Sequence, residues 1–327
     1  MAGVFVGVDG GATKTLSVAA DNEGEIIGIG EAGPSNYHSV GLDVAVENIN
    51  SSIRLALADA KLEVADVVVL GLAGMDTLHD FRFFEEKAAP KIAGKRVYVR
   101  HDAEIALVGA TMGQPGVIVI AGTGSVAGAR NRRGEYARCG GWGNLVGDEG
   151  SAYYIAIEAL REVLRAFDGR SEPTALMGEI LKALSIDSPD EILRKLYVEK
   201  MSTSDVARLA PSVTRLAMQG DRVALKIIER AAEQLALHVI ALVKRLGMLE
   251  EQPVKVAVVG GVFKAGRVIL DPFEKKLKEQ LQVEIIRPEF PPAVGALILA
   301  YTLSNVELTG KIMQNLRQGV NRFNLKL

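Results

Sequence analysis

The chain has 327 residues, 48% hydrophobic and 24% charged, with a formal net charge of −2, so it can bury the core of one large or two ordinary domains and carries no charge surplus for nucleic acid or an anionic membrane. One cysteine, Cys139, excludes an intrachain disulfide framework and suits a reducing cytoplasm, and the histidines at 38, 79, 101 and 238 lack zinc-ligand spacing. The start MAGVFVGVDGG has no basic leader region, and no apolar run reaches the ~20 residues of a membrane span, so a cytoplasmic protein is expected.

Residues 3–9, 14–20 and 25–30 read as three short strands, with Asp21-Asn22-Glu23-Gly24 turning the chain between the last two. Val46, Ile49, Ile53, Leu57 and Ala60 recur at helical spacing and predict an amphipathic helix over about 42–60. A buried strand at 67–71, a helix near 79–89, a strand at 96–100 and a helix from about 103 follow. A three-strand meander followed by alternating strands and helices implies a mixed sheet covered by helices. The pattern then restarts. GVIVIAGTGSVAGARNRRGEYARCG (116–140) again runs strand, glycine turn, strand, polar turn and strand, with Gly134-Glu135 answering Gly24-Glu25. Such a repeat favours an internal duplication, with two glycine turns facing one another across a cleft. Residues 150–247 read as mostly helical; the clearest helix spans about 222–246, with Asp221 as N-cap and Gly247 beyond its end. Strands return at 254–259 and 283–286, and a last helix opens at Pro292. The segment from Lys311, with Lys311, Arg317, Arg322 and Lys326 and no acid, reads as a solvated terminus.

Gly10-Gly11-Ala12-Thr13 and Gly122-Thr123-Gly124-Ser125 each offer bare backbone N–H groups and small hydroxyls, as a phosphate chain requires. Tight hairpins also use glycine, so the pair of turns counts for more than either alone. Neither Walker A nor the dinucleotide fingerprint fits the first turn. Asp9 adds a carboxylate where phosphates would sit; a divalent cation between them would make that favourable, which points to a magnesium nucleotide, while the simpler reading is a turn-capping residue. Lys14, next in the turn, either contacts phosphate or points to solvent. Asp102 follows a strand and precedes a helix: it is either an N-cap or a general base beyond a strand's carboxyl end. CGGWGNLVGDEGSAYY (139–154) crowds the only tryptophan, Asp148 and Glu149 among glycines. A ring face beside fixed carboxylates suits a polyhydroxylated ligand. Ser35-Asn36 and Gly74-Met75-Asp76 add polar loop residues after strands.

These stretches together resemble the sugar-kinase, actin and heat-shock-chaperone superfamily, and within it the N-acetylglucosamine kinase and BadF/BadG ATPase group, over about residues 4–303. VGVDGGATKT and IAGTGSVA resemble its two phosphate motifs, CGGWGNLVGDEGSAY its sugar loop, VVGGVFKAG its adenosine motif and PPAVGALILA its closing helix. The resemblance implies an α/β chain of two duplicated, ribonuclease H-like (actin-like) domains with mixed sheets flanked by helices. The expected domains are 1–112, completed by a helix at about 292–305, and 113–291 with a helical insertion at 150–247. It implies ATP contacts at Gly11, Thr13, Lys14, Gly122, Thr123, Gly124, Ser125, Ala217, Gly260, Gly261 and Lys264. It implies sugar contacts at Asn36, Asp76, Gly141, Trp142 and Asp148, with Asp102 as base and Asp9 orienting Mg²⁺ through water. Val126 stands where that group has a polar residue, which leaves room for glucose or mannosamine.

The expected activity is ATP-dependent phosphorylation of a hexose or N-acetylhexosamine at the 6-hydroxyl by a cytoplasmic homodimer without nucleic-acid or membrane partners, domain closure excluding water. An activator ATPase of the BadF type would need two cysteines per chain for its shared iron–sulfur cluster, and only Cys139 is present. A sugar-sensing repressor would need a DNA-binding module, and no helix-turn-helix precedes the first strand.

Overall fold

A computed structural model describes residues 3–325; Lys326, counted above in the basic terminus, lies outside them. The chain forms two compact units. One comprises the chain up to Gly116, Arg132–Gly134 and the chain from Ile286 onward; the other comprises Val117–Asn131 and Glu135–Ile285.

The first unit holds the five strands β1 (Phe5–Gly10), β2 (Thr15–Ala20), β3 (Ile26–Ala32), β4 (Ala65–Leu72) and β5 (Gly94–His101), in the order β3-β2-β1-β4-β5. β1, β2 and β3 form an antiparallel meander, and β4 and β5 extend the sheet parallel to β1. The register sets Asp9 opposite Gly71 and Gly71 opposite Arg100. The carboxyl ends of three parallel strands therefore come level, where α/β sheets place their functional groups.

The second sheet contains β6 (Gly116–Ala121), β7 (Ser125–Arg130), β8 (Tyr136–Gly140), β9 (Val254–Val259) and β10 (Val283–Ile286) in the order β10-β9-β6-β7-β8. Taken from its meander edge this is the connectivity of the first sheet, so the repeat seen in the sequence is a repeat of topology.

Helices cover both sheets because their apolar stripes match the period of 3.6. Leu42–Leu57 buries Val46, Ile49, Ile53 and Leu57 as its spacing predicts, and ends before Ala60. Arg222–Arg245 starts at Asp221, whose carboxylate accepts the Val223 and Ala224 N–H groups. Pro292–Leu303 is buried on every side from Ala293 to Tyr301. It approaches its neighbours through glycine: a Cβ on Gly7 of β1 would collide with the Ala293 carbonyl, and one on Gly295 with the carbonyl of Ile105. The terminal segment differs from the solvated reading. Gly310–Arg322 is a helix that buries Ile312, Leu316 and Gly319, spaced four and three residues apart, and Gly319 lies against Ile26 of β3. Its basic residues sit on the outer side, where Lys311 pairs with Glu23 at 2.6 Å and Arg317 with Glu289 at 2.5 Å.

Gly295→Ala should overpack the central helix and lower unfolding stability by about 1–3 kcal/mol in urea titrations. Gly310→Ala, with open space around its Cβ position, should be close to neutral by the same measurement.

Candidate active site

The turn after β1 is closed by the Gly11 N–H donating to the Lys14 carbonyl at 2.9 Å. The Gly11 carbonyl accepts from the backbone N–H groups of Ser35 and Asn36 at 3.0 and 3.2 Å, while the Thr15 hydroxyl donates to Ser35 Oγ at 2.8 Å. The turn and the Asn36 segment are thus tied to each other by three hydrogen bonds. Asn36 caps the short helix Tyr37–Val40 through His38 N–H, and a Cβ on Gly74 would press on its side-chain oxygen, so Asn36 lies beside the loop that carries Asp76. Asp80 braces both loops. It accepts from the Tyr37 hydroxyl at 2.5 Å and from Thr77 N–H and Oγ–H at 2.7 and 2.6 Å. Its burial would raise its pKa, but the hydrogen bonds from Thr77 and Tyr37 prevail and hold it down at about 2. Thr13 is exposed, and Lys14 reaches Glu31 at 2.8 Å on the surface.

At the strand ends stand Asp9, Asp76 and Asp102. Asp9 is only partly open to solvent, and its pKa is raised to about 6 by burial first and the nearby Asp102 charge second, with Lys14 acting in the opposite direction. Asp102 is the first residue of the helix Asp102–Thr111, and the N-cap is His101, whose Nδ1 lies 3.0 Å from the Ala103 nitrogen. The N-cap position considered for Asp102 therefore belongs to its neighbour, while Asp102 Oδ1 receives the Ala103 N–H at 2.6 Å. The His101 ring lies 2.8 Å from Asp102 Oδ1 on one side and 3.6 Å from Asp76 Oδ1 on the other.

In the second unit the GTGS turn is tied to the glycine-rich loop behind it. Ser125 Oγ–H donates to the Glu149 carbonyl at 2.8 Å, and the carbonyls of Gly122 and Thr123 accept from Ala152 and Tyr153 N–H. A Cβ on Gly124 would meet the Asp148 carboxylate at 2.7 Å, so this glycine seats Asp148. Asp148 has φ 59° and Gly141 φ 70°, left-handed conformations that the loop's glycines adopt freely. Trp142 is 63% exposed, and the Arg138 guanidinium lies 4.8 Å over its ring while donating to the Gly141 carbonyl at 3.2 Å. Val126 packs under Gly141. Beneath the loop His238 presses on Gly140 with Nε2 3.9 Å from Glu149 and Nδ1 buried without a hydrogen-bond partner. Burial pushes its pKa down, against the pull of Glu149 and Asp148.

A cavity of about 490 Å³ opens between the helix Ala210–Met218 and the turn Gly261–Ala265. Pro211, Thr214, Met218, Gly261, Val262 and Lys264 are on its wall. Ala217 is buried in the helix that supplies Thr214 and Met218. Gly260, with φ 109°, lies against the Ala121 carbonyl, where a side chain would collide, and so brings this turn up to the end of β6.

Two mixed sheets of one connectivity, each with a glycine turn after its first strand, define the actin-like class of sugar kinases and ATPases. Residues 6–300 match the model of the BadF/BadG/BcrA/BcrD ATPase family, and the chain belongs to it. It is 34% identical over 298 residues to an N-acetylmuramic acid/N-acetylglucosamine kinase of Clostridium acetobutylicum, covering 90% of this chain and 97% of that one. It is 32% identical over 311 residues to an N-acetyl-D-glucosamine kinase of Dictyostelium discoideum, covering 91% and 97%. The crystal structure of a provisionally named N-acetylglucosamine kinase from Chromobacterium violaceum superposes with a TM-score of 0.68 at 28% identity, covering 91% of this chain and 98% of that chain.

Sequence reasoning passed over His101, Arg138 and His238. His101 carried one available signal, its place next to Asp102 at the end of a predicted strand.

The raised Asp9 pKa predicts a pH-dependent stability. Because folding raises this pKa, its contribution is present below the ordinary value of 3.8 and is lost as pH rises through about 6. Asp9→Asn should therefore stabilise the ligand-free protein by about 1–2 kcal/mol at pH 7.5, after allowing for residual solvent contact. The gain should shrink as unfolding is repeated toward pH 4; a constant gain would contradict the assigned burial.

Proposed function

We propose that this protein is an ATP-dependent kinase that transfers the γ-phosphoryl group to the 6-hydroxyl of N-acetylglucosamine or a related hexosamine. The observation that carries the reading is its identity of 34% and 32%, across nine-tenths of the chain, to two kinases named for such sugars. Membership of an ATPase family supports ATP as the donor.

The residues fit the nucleotide. The cavity's mainly apolar wall suits a purine and ribose, with Lys264 and Thr214 as its polar contacts. Gly11, Gly122, Thr123, Gly124 and Ser125 are assigned to the phosphates, whose close approach demands small residues. The donor set also fits Mg²⁺. Among the described residues no group of three or more Asp, Glu, His or Cys side chains could hold a metal, and Asp9 is assigned to it through water, as suits an ion that keeps water and phosphate ligands. When bound, Mg²⁺ would neutralise phosphate charge that Asp9 and Asp102 would otherwise repel.

Asn36, Gly141, Trp142 and Asp148 are assigned to the sugar: carboxylate and amide bond hydroxyls, and the indole face covers C–H groups. Asp102 accepts the hydroxyl proton as the oxygen attacks the γ-phosphorus, so one O–H bond is exchanged for another and the alkoxide never stands free. A cytoplasmic homodimer belongs to the same proposal on family resemblance, and sedimentation velocity tests the oligomeric part.

Coupled ADP release should rise above the no-sugar rate with N-acetylglucosamine, and the same assay with N-acetylmannosamine, glucosamine, glucose and mannose reads the selectivity around Val126. No acceleration with any of the five would overturn the kinase reading. Asp102→Asn should lower kcat by roughly 10²–10⁴-fold with sugar binding retained in calorimetry. Trp142→Ala should raise the sugar KM by about 3- to 10-fold and change kcat less.

A further inference from the structure

His101 ends β5 and is only 6% exposed, and no sugar, nucleotide or metal contact above uses it. Its ring spans two carboxylates. Nδ1 lies 2.8 Å from Asp102 Oδ1 and 3.0 Å from the Ala103 nitrogen, and Nε2 lies 3.6 Å from Asp76 Oδ1. A bare ring nitrogen 2.8 Å from a carboxylate oxygen would set two lone pairs against each other, so Nδ1 carries a proton and donates to Asp102 Oδ1. The Ala103 N–H ends on the same oxygen at 2.6 Å. Oδ1 is thereby committed to the helix start, and Oδ2 is the oxygen left for a substrate proton. The other charged groups here are Asp9, which repels Asp102, and Arg100, which lies 3.7 Å from Glu104.

We propose that His101 is the positioning residue of Asp102 and that Asp76 acts through the imidazole, not on the sugar. The inference rests on Asp102 being the base of the proposed reaction. Asp76 stands off the Nε2 side of the ring, and the ring together with the Ala103 N–H fixes the rotation of the Asp102 carboxylate, so Oδ2 is presented without a search over χ angles. The sugar O–H breaks and the Asp102 O–H forms, the sugar oxygen takes the place of the leaving ADP oxygen on the γ-phosphorus, and no proton passes to the ring. Positioning of this kind acts on the chemical step, where a misplaced base loses rate steeply.

His101→Asn separates this role from folding, because asparagine offers a short acceptor for the Ala103 N–H and is a good N-cap, but lacks the arm that reaches Asp76. The expected result is a thermal midpoint and sugar KM near wild type, with kcat lower by roughly 10- to 100-fold. Asp76→Asn should give a similar loss of kcat with KM unchanged, and the double variant should be no worse than the poorer single one, since both act on one chain of contacts. If His101→Asn proves unstable, His101→Ser offers a smaller cap and the same prediction, with calorimetric sugar binding as the check on folding. Wild-type kcat in a folded His101 variant, losses that multiply in the double variant, or an Asp76→Asn effect confined to KM would each overturn the proposal. A wild-type protein inert toward every sugar would instead overturn the function and this proposal with it; an active wild type with an unaffected His101→Asn overturns this proposal alone.

Discussion

Two carboxylates, Asp9 at the end of β1 and Asp102 just past the end of β5, are held close enough for the Asp102 charge to raise the pKa of Asp9, and the first unit is organised around keeping them there. The parallel register of β1, β4 and β5 brings the strand ends level, and backbone hydrogen bonds keep the chain from sliding the acids apart. Close packing fixes the depth. The helix Pro292–Leu303 reaches β1 and the Asp102 helix only because Gly7 and Gly295 carry no side chain, and interiors at native density transmit such constraints with little give. The cost appears as the raised Asp9 pKa, due first to burial and second to the Asp102 charge. Sites that must stabilise charge arriving with a substrate commonly sacrifice stability in the empty protein.

The second unit shows what the same topology does without that constraint. Its first strand, β6, has Ile120 and Ala121 where β1 has Asp9 and Gly10, so its glycine turn follows an uncharged strand end. A turn of this kind can approach phosphate oxygens without a counter-ion, since only backbone N–H groups and hydroxyls face them. Duplication thus supplied two equivalent turns, and one substitution class, acid for apolar at the strand end, is enough to give them different chemistry. The large helical stretch after β8 adds the apolar cavity that neither sheet offers.

Local features were legible in the sequence, and distant ones were not. Strand and helix positions followed from period and turn residues, and Asp221 and Gly247 marked the ends of one long helix as capping chemistry requires. The loop with Trp142 and Asp148 stood out because tryptophan and acids are unusual among glycines. The failures have physical causes. Charge alone made the segment from Lys311 look solvated, although Ile312 and Leu316 form a narrow apolar stripe that a short helix buries. His238 lies about a hundred residues from the loop it supports, and no local pattern reports a contact of that separation. At the start of the Asp102 helix the sequence pointed to Asp102 as a cap, and only geometry set His101 at the N-cap position.

That last case bears on how an acid at a helix start should be read. An Asp in the first turn is stabilised by the exposed N–H groups and the helix dipole, which would favour its ionised form and weaken it as a proton acceptor. Here the buried imidazole of His101 stands at the helix start beside Asp102, and the Asp102 charge adds to burial in raising the pKa of Asp9. The helix start and the buried ring beside it then serve to aim the Asp102 carboxylate: its Oδ1 is held by the Ala103 N–H at 2.6 Å and by the ring at 2.8 Å.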